Sequence, residues 1–241
     1  MPIELLKIPH DASAMFKERP NRFVGVVDVF EPNTLPDQLV HIHDPGRLVD
    51  LLYPGNRVLL KKAASMQRKT AWDLVAAFHN HEFVLTHSGF HRAITEKLLG
   101  HSDILPFGPL VTIEPEVRYG HSRLDFRLTI DDGSFVWVEV KGCTMAENNI
   151  ALFPDAPTTR GVKHLTTLID IRDHKLQAAI IILVFRSEAS AFAPHAGIDP
   201  VFAETFQKAV DAGVRVIPIK CGFQNGSIVY HEIVPVTDFR A

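Results

Sequence analysis

The stretch Arg123–Lys141 constrains the fold of this chain more than any other. It reads Arg-Leu-Asp-Phe-Arg-Leu-Thr-Ile, then Asp-Asp-Gly-Ser, then Phe-Val-Trp-Val-Glu-Val-Lys. Both flanks of the tetrad alternate with period two, the pattern of a strand with one polar and one apolar face. Leu124, Phe126, Leu128 and Ile130 share one face of the first strand, and Arg123, Asp125, Arg127 and Thr129 the other. In the second, Val136, Val138 and Val140 are the apolar side, which leaves Phe135, Trp137, Glu139 and Lys141 opposite. A two-residue turn at Asp132-Gly133 would set Asp125 across from Val140 and mix the faces, a slip that burial disfavours. A three-residue loop, Asp131-Asp132-Gly133 with Gly133 left-handed, sets Asp125 across from Glu139 instead.

Opposed carboxylates on neighbouring strands repel, and one pKa rises unless a cation intervenes. A hard divalent ion resolves the conflict. Mg²⁺ (or Mn²⁺) suits the site, because Mg²⁺ binds one or two carboxylates plus substrate phosphate and keeps its other waters. Lys141, beside Glu139, is placed to orient or deprotonate a water, or to stabilise charge as a phosphodiester breaks. The other reading of the same residues is a charged cluster on a solvated strand face.

Asp125, followed after a hairpin by Glu139-Val140-Lys141, resembles the D…(D/E)-x-K core of the PD-(D/E)XK nuclease superfamily. Ser122-Arg123-Leu124-Asp125-Phe126, Ala146-Glu147-Asn148, Phe153-Pro154-Asp155-Ala156 and Arg160-Gly161-Val162-Lys163-His164-Leu165 resemble the sugar fermentation stimulation protein family (SfsA), over about Arg22 to Pro235. No Pro precedes Asp125, a departure from the superfamily pattern. The resemblance implies an α/β chain in two parts: residues 1–87 as an OB-like nucleic-acid-binding barrel, and 88–241 as a nuclease-like mixed sheet flanked by helices. It implies a metal-dependent nuclease with Asp125 and Glu139 as ligands, joined by the Val140 carbonyl, and Lys141 on the water. Glu96, on the helix that often supplies an acid in that superfamily, becomes a further catalytic candidate. Nucleic acid, DNA first, is the implied partner, and a homodimer is admitted as the assembly. A DNA-binding regulator of sugar metabolism on a nuclease scaffold is the alternative, since a fold does not establish an activity.

With 46% hydrophobic residues the chain can fill ordinary cores. No apolar run reaches the roughly 18 residues of a membrane span, and the start lacks a secretion pattern, so no membrane partner and a cytoplasmic location are expected. Cys143 and Cys221 read as buried thiols rather than a disulfide framework. A net charge of −3 gives no global nucleic-acid signature. Locally, Arg57, Lys61, Lys62, Arg68 and Lys69 fall where no acid interrupts, a candidate phosphate-tracking stripe or a solvated surface.

Along the chain, the first residues show no period and predict a loose arm. Strands follow from about Arg22, at Leu39–His43, Arg57–Lys61, Ala71–Phe78 and Glu82–His87, with one helical turn over Arg47–Leu52. Short strands without a long helix suggest a small barrel, with Arg22, Arg47, Lys61 and Lys62 as candidates for its nucleic-acid face and Phe23 read as core. His41 and His43, two apart on a strand, face one way and could ligate a metal. A (β/α)₈ hydrolase of the kind that uses His-x-His does not fit this strand-rich region, so a His-based metal hydrolase ranks third. The family usually carries Pro-Asn-Thr-Gly where this chain has His43-Asp44-Pro45-Gly46.

Phe90–Leu99 reads as a helix, on which Arg92 and Glu96 can pair. Val111–Arg118 is a strand before the hairpin. Residues 141–159 read as a long functional loop, with Glu147 and Asn148 in reach of the site. A helix capped at Thr158 or Thr159 runs to about His174. Arg160, Lys163 and His164 at its start, with Arg123, complete the nucleic-acid candidates. Leu176–Phe185, apolar throughout, is a central buried strand. A helix from Asp199-Pro200 and two further strands end the chain.

Overall fold

The computed structural model describes residues 3–65 and 68–237. In chain order come β1 (Ile3–Lys7), β2 (Ala12–Asn21), β3 (Val24–Glu31), β4 (Leu35–Ile42), β5 (Arg57–Lys62), β6 (Trp72–His79), β7 (Glu82–Leu85), α1 (His91–Leu99), β8 (Leu110–Tyr119), β9 (Ser122–Ile130) and β10 (Phe135–Cys143). They are followed by β11 (Met145–Glu147), β12 (Ile150–Phe153), α2 (Thr159–Asp173), β13 (Gln177–Val184), β14 (Ala191–Pro194), α3 (Pro200–Asp211), β15 (Arg215–Gln224) and β16 (Ser227–Ile233).

The N-terminal region closes as a five-stranded barrel, in the order β4-β3-β2-β5-β6 with a parallel β4–β6 pairing completing the circle. The expected strands from Arg22 to Phe78 are all present, but three features differ from the sequence reading. Ala12–Asn21 is a barrel strand whose far half is largely exposed, so Lys17, Glu18, Arg19 and Pro20 hide its alternation. Glu82–Leu85 extends the sheet beyond β6 rather than closing the barrel. Arg47–Leu52 makes the expected single turn, in which the Leu51 and Leu52 amides donate to the Leu48 carbonyl at 3.1 and 2.8 Å, with Leu48 at φ 51°. Phe23, read as core, is 48% exposed and stacks on His41.

The second unit is a mixed seven-stranded sheet, ordered β1-β16-β15-β13-β10-β9-β8. Its edge strand β1 corrects the loose-arm expectation: Ile3–Lys7 pairs antiparallel with β16, so the start of the chain belongs to the later sheet. Five residues are too few for a period to register. The expected loop 141–159 is largely strand, because β10 runs on to Cys143 and β11 and β12 build a small sheet with β14. Both sheet faces are packed. Phe126, Val138, Ile181 and Ile219 face α1 and the barrel in one continuous core, while Trp137, Ile180 and Ile182 face α2 and α3 in another. Cys143 and Cys221 are free and buried, and burial pushes both thiols up to about 12.

Charged contacts seat the barrel on the sheet. Arg186, 2% exposed just after β13, donates to Asp50 of the barrel, to His79 Nε2 at 2.6 Å, to the Thr144 carbonyl at 3.0 Å and to Glu188 at 2.7 Å. Nearby, Asp155 accepts from the Leu48 amide at 3.0 Å. Burial, and the Asp155 carboxylate beside it, push Asp44 up to about 6, although the Gly46 amide and Arg19 oppose the rise.

Removing the guanidinium leaves Asp50, Glu188 and a buried carbonyl without it, so Arg186→Ala is expected to cost about 3 kcal/mol, read from the denaturant midpoint. Asp44 titrates in the opposite sense to a paired acid. Its folded value lies above the ordinary 3.8, so the stability it lends is present below that value and lost as pH rises through about 6. Asp44→Asn, which keeps the oxygen that accepts from the Gly46 amide, should match wild type below about pH 4 and exceed it by about 2–3 kcal/mol at neutral pH. Denaturation series at the two pH values check this.

Candidate functional site

The site grows from the β9–β10 hairpin. Its turn is the three-residue loop: the Ile130 amide bonds the Ser134 carbonyl at 2.9 Å, and Gly133 takes φ 82°, a conformation that disfavours any side chain. The strands then pair Thr129 with Phe135, Leu128 with Val136, Arg127 with Trp137 and Phe126 with Val138. The ladder ends at that last pair, one step short of Asp125 and Glu139. The Val140 amide is taken at 2.7 Å by the Asp125 carboxylate rather than by a backbone carbonyl. The strands part where the two acids meet.

Glu139 lies on the face covered by α2 and is 1% exposed, which excludes a solvated charge cluster. A carboxylate so buried needs partners. Lys141 Nζ, two residues along on the same face, and His164 Nδ1 from α2 both donate to its Oε1. Its Oε2 is buried and has no hydrogen-bond partner. Burial works to raise the Glu139 carboxyl, but His164 and Lys141 together outweigh it and hold the group below its ordinary value. Asp125 moves the other way: burial, then the like charge of Glu139, raise it, although the Val140 amide and Lys141 pull against them. One ionised acid with an orphaned oxygen, and a second acid with a raised carboxyl beside it, form a donor set that suits a hard divalent cation. Asp125 and Glu139 could hold it, and Val140 lines the same cleft.

These residues line a cleft of about 300 Å³. The first residues of α1, His91 and Arg92, form one wall, and Arg160 at the start of α2 contributes to another. His91 reaches this position because its ring packs where a side chain at Gly142 of β10 would sit. Glu116 of β8 also reaches the cleft, at φ 55° and opposite Asp125 in the β8–β9 register.

Several sequence candidates lie elsewhere. Glu96 pairs with Arg92 at 2.9 Å on α1, 41% exposed, and does not join the acids. The additional acid of the cleft is Glu116, which extending the hairpin register by one strand would have found. His164 is 6% exposed and braces Glu139, so it is no surface phosphate ligand. The helical period could have shown this, since Gly161, His164, Leu165, Leu168 and Ile171 form the buried stripe of α2. Lys163 donates to the His121 carbonyl at 3.1 Å. Arg123 is exposed, 3.7 Å from Glu116.

The barrel candidates do not share one surface. Arg22 and Arg47 line a groove with Arg19 against Ala156 and Pro157. Lys62 lies over the Trp72 ring at 5.9 Å, beside a different hollow, and Lys61 belongs to the same strand. In the proposed stripe, Arg57 sits 3.8 Å over Phe78 and Arg68 grips Asp73 at 2.7 Å, so both are committed within the fold. His79-Asn80-His81 holds the β6–β7 turn, with Asn80 and His81 both at positive φ. Glu147 is exposed in β11. Among the described residues, no helix is long and apolar enough to cross a membrane.

Two family models match. The sugar fermentation stimulation protein RE domain covers residues 89–227, and the SfsA N-terminal OB domain covers residues 18–86. A sugar fermentation stimulation protein homolog of Methanococcoides burtonii is 44% identical, over 96% of this chain and 94% of that one. One from Thermotoga neapolitana is 46% identical over 88% of each. Among solved structures, Pyrococcus furiosus SfsA in complex with Ca²⁺ superposes with a TM-score of 0.89 at 26% identity, covering 98% of this chain and all of that one.

The brace on Glu139 can be tested by stability. His164→Ala removes one donor from a buried ionised acid, and a loss of about 2 kcal/mol is expected from urea denaturation.

Proposed function

Because this chain belongs to the sugar fermentation stimulation protein family, we propose that its Asp125–Glu139–Lys141 cleft is a divalent-cation-dependent nuclease site that hydrolyses phosphodiesters, with DNA as the first substrate. One observation carries the reading: the Glu139 Oε2 atom is buried and unpartnered beside the raised carboxyl of Asp125. Burying an acceptor in that state is costly unless something binds it. A relative of the same fold is recorded with Ca²⁺, a cation that also seeks oxygen ligands.

Asp125, Glu139 and the Val140 carbonyl would hold Mg²⁺ or Mn²⁺, which when bound would supply Lewis-acid polarisation of a phosphoryl oxygen. The remaining work falls to the chain itself. His164 keeps Glu139 ionised and aimed. The Lys141 ammonium, on the same face of β10, is placed to orient a water or to donate to the oxygen that gains charge as the P–O bond breaks. The amino ends of α1 and α2 open on the cleft, where their positive dipole ends and Arg92 and Arg160 favour phosphate. On the barrel side, the groove of Arg19, Arg22 and Arg47 offers further positive charge to a nucleic-acid backbone.

A second reading, a DNA-binding regulator without catalysis, has one observation in its favour. Lys141 is already paired with Glu139, so the cluster partly neutralises itself.

Incubating the purified protein with single- and double-stranded DNA and RNA, with Mg²⁺ or Mn²⁺, decides between them. Wild type should cut, and Asp125→Ala and Lys141→Ala should each lose about a hundredfold or more in rate while still binding. Binding without any cleavage by wild type would leave only the regulator.

A further inference from the structure

The barrel holds a second cluster, which the nuclease reading does not use. His43, Asp73 and His87 each offer one ligand atom, and the three atoms lie within 4.8 Å of one another. We propose that they form a separate cation site at the mouth of the barrel, one that takes a transition metal of the zinc class.

Closure of the barrel brings these residues together. β4 and β6 pair in parallel with His41 beside Asp73, so His43, just past the end of β4, meets the Asp73 carboxylate at 2.9 Å through Nε2. His87 arrives from the segment after β7, its ring stacked on that of His43 with centroids 3.7 Å apart and 19° between planes. The His41 ring stands edge-on to His43 at 4.4 Å. Three partly buried imidazoles crowd one buried acid, and each ring keeps a polar nitrogen that lies partly out of water. A cation repays them jointly.

The existing contacts leave room for it. Arg68 holds both Asp73 oxygens, at 3.2 and 2.7 Å, but a carboxylate has about four acceptor positions, and a partner of this kind orients a ligand. His87 Nδ1 accepts from the Gly89 amide at 3.2 Å, a long bond that coordination of the ring would replace. Two imidazoles and one carboxylate suit zinc and its neighbours, whereas the oxygen-only set at Asp125 and Glu139 suits Mg²⁺. The chain therefore carries two sites that select different metals. A bound ion would tie β4, β6 and the residue before Ser88 together. Ser88 donates to the His43 carbonyl at 2.8 Å and also lines the cleft, so the ion would brace the barrel's junction with the cleft wall.

The test uses full-length, untagged protein stripped with a chelator and titrated with Zn²⁺ in a calorimeter. Wild type should bind one Zn²⁺ per chain. Asp125→Asn should leave that binding unchanged, and His43→Gln and His87→Gln should each weaken it by about tenfold or more. Two measurements on wild type need no substitution: Co²⁺ should give the strong visible absorption of a nitrogen-ligated, low-coordinate site, and anomalous scattering at the zinc edge should place the ion between His43 and His87. The proposal fails if wild type binds no Zn²⁺, if the ion is found at Asp125 and Glu139, or if Asp125→Asn abolishes binding while folded His43→Gln does not weaken it.

Discussion

An ionised carboxylate cannot stay inside a β-sheet unless its charge is answered, and Glu139 sits in β10 with both sheet faces packed. Much of the surrounding architecture supplies that answer. α2 turns His164 inward from its buried stripe, and Lys141 folds back along its own strand. β9 leaves the ladder so that Asp125 can take the Val140 amide. Each of these is a local departure from ideal packing or pairing, and all converge on one side chain. Such concentrated exceptions are expected where a fold serves chemistry rather than stability alone.

The joint between the two units obeys the same electrostatic logic with the signs reversed. Arg186 is the buried cation, and Asp50, Glu188, His79 and the Thr144 carbonyl are arranged around it. The continuous core on the barrel side of the sheet supplies apolar adhesion, which is not directional. The guanidinium fork adds direction, since its donors are fixed in a plane. The barrel is thereby set with the Arg19–Arg22–Arg47 groove against Ala156 and Pro157, and with Ser88 at the cleft.

The hairpin shows how far local rules reach. Alternation, together with the prohibition on mixing faces, was enough to choose a three-residue loop, a left-handed Gly133 and a register that carries Asp125 close to Glu139. The helices were legible for similar reasons: Thr158 and Asp199 cap α2 and α3 with their side chains, and Pro200 opens α3. The family words carried the division into barrel and sheet. The misreadings share a cause. β1 is too short to show a period, half of β2 faces solvent, and Phe23 is an aromatic strand residue that stayed outside. Residue type alone does not reveal which side of an element will be covered.

The site divides along the same line. Residue spacing put Glu139 and Lys141 on one face of β10, because strand geometry repeats every two residues, but it did not foresee that Leu124 and Phe126 of β9 pack into opposite cores on either side of Asp125. Only the tertiary structure decided that this face is covered by α2, that His164 rather than a surface cation answers Glu139, and that Glu116 rather than Glu96 reaches the cleft. It also decided that His43 meets Asp73 and His87 across a closed barrel. Those outcomes depend on contacts between segments far apart in the chain, and no local period encodes which of two available faces a distant helix or strand will cover.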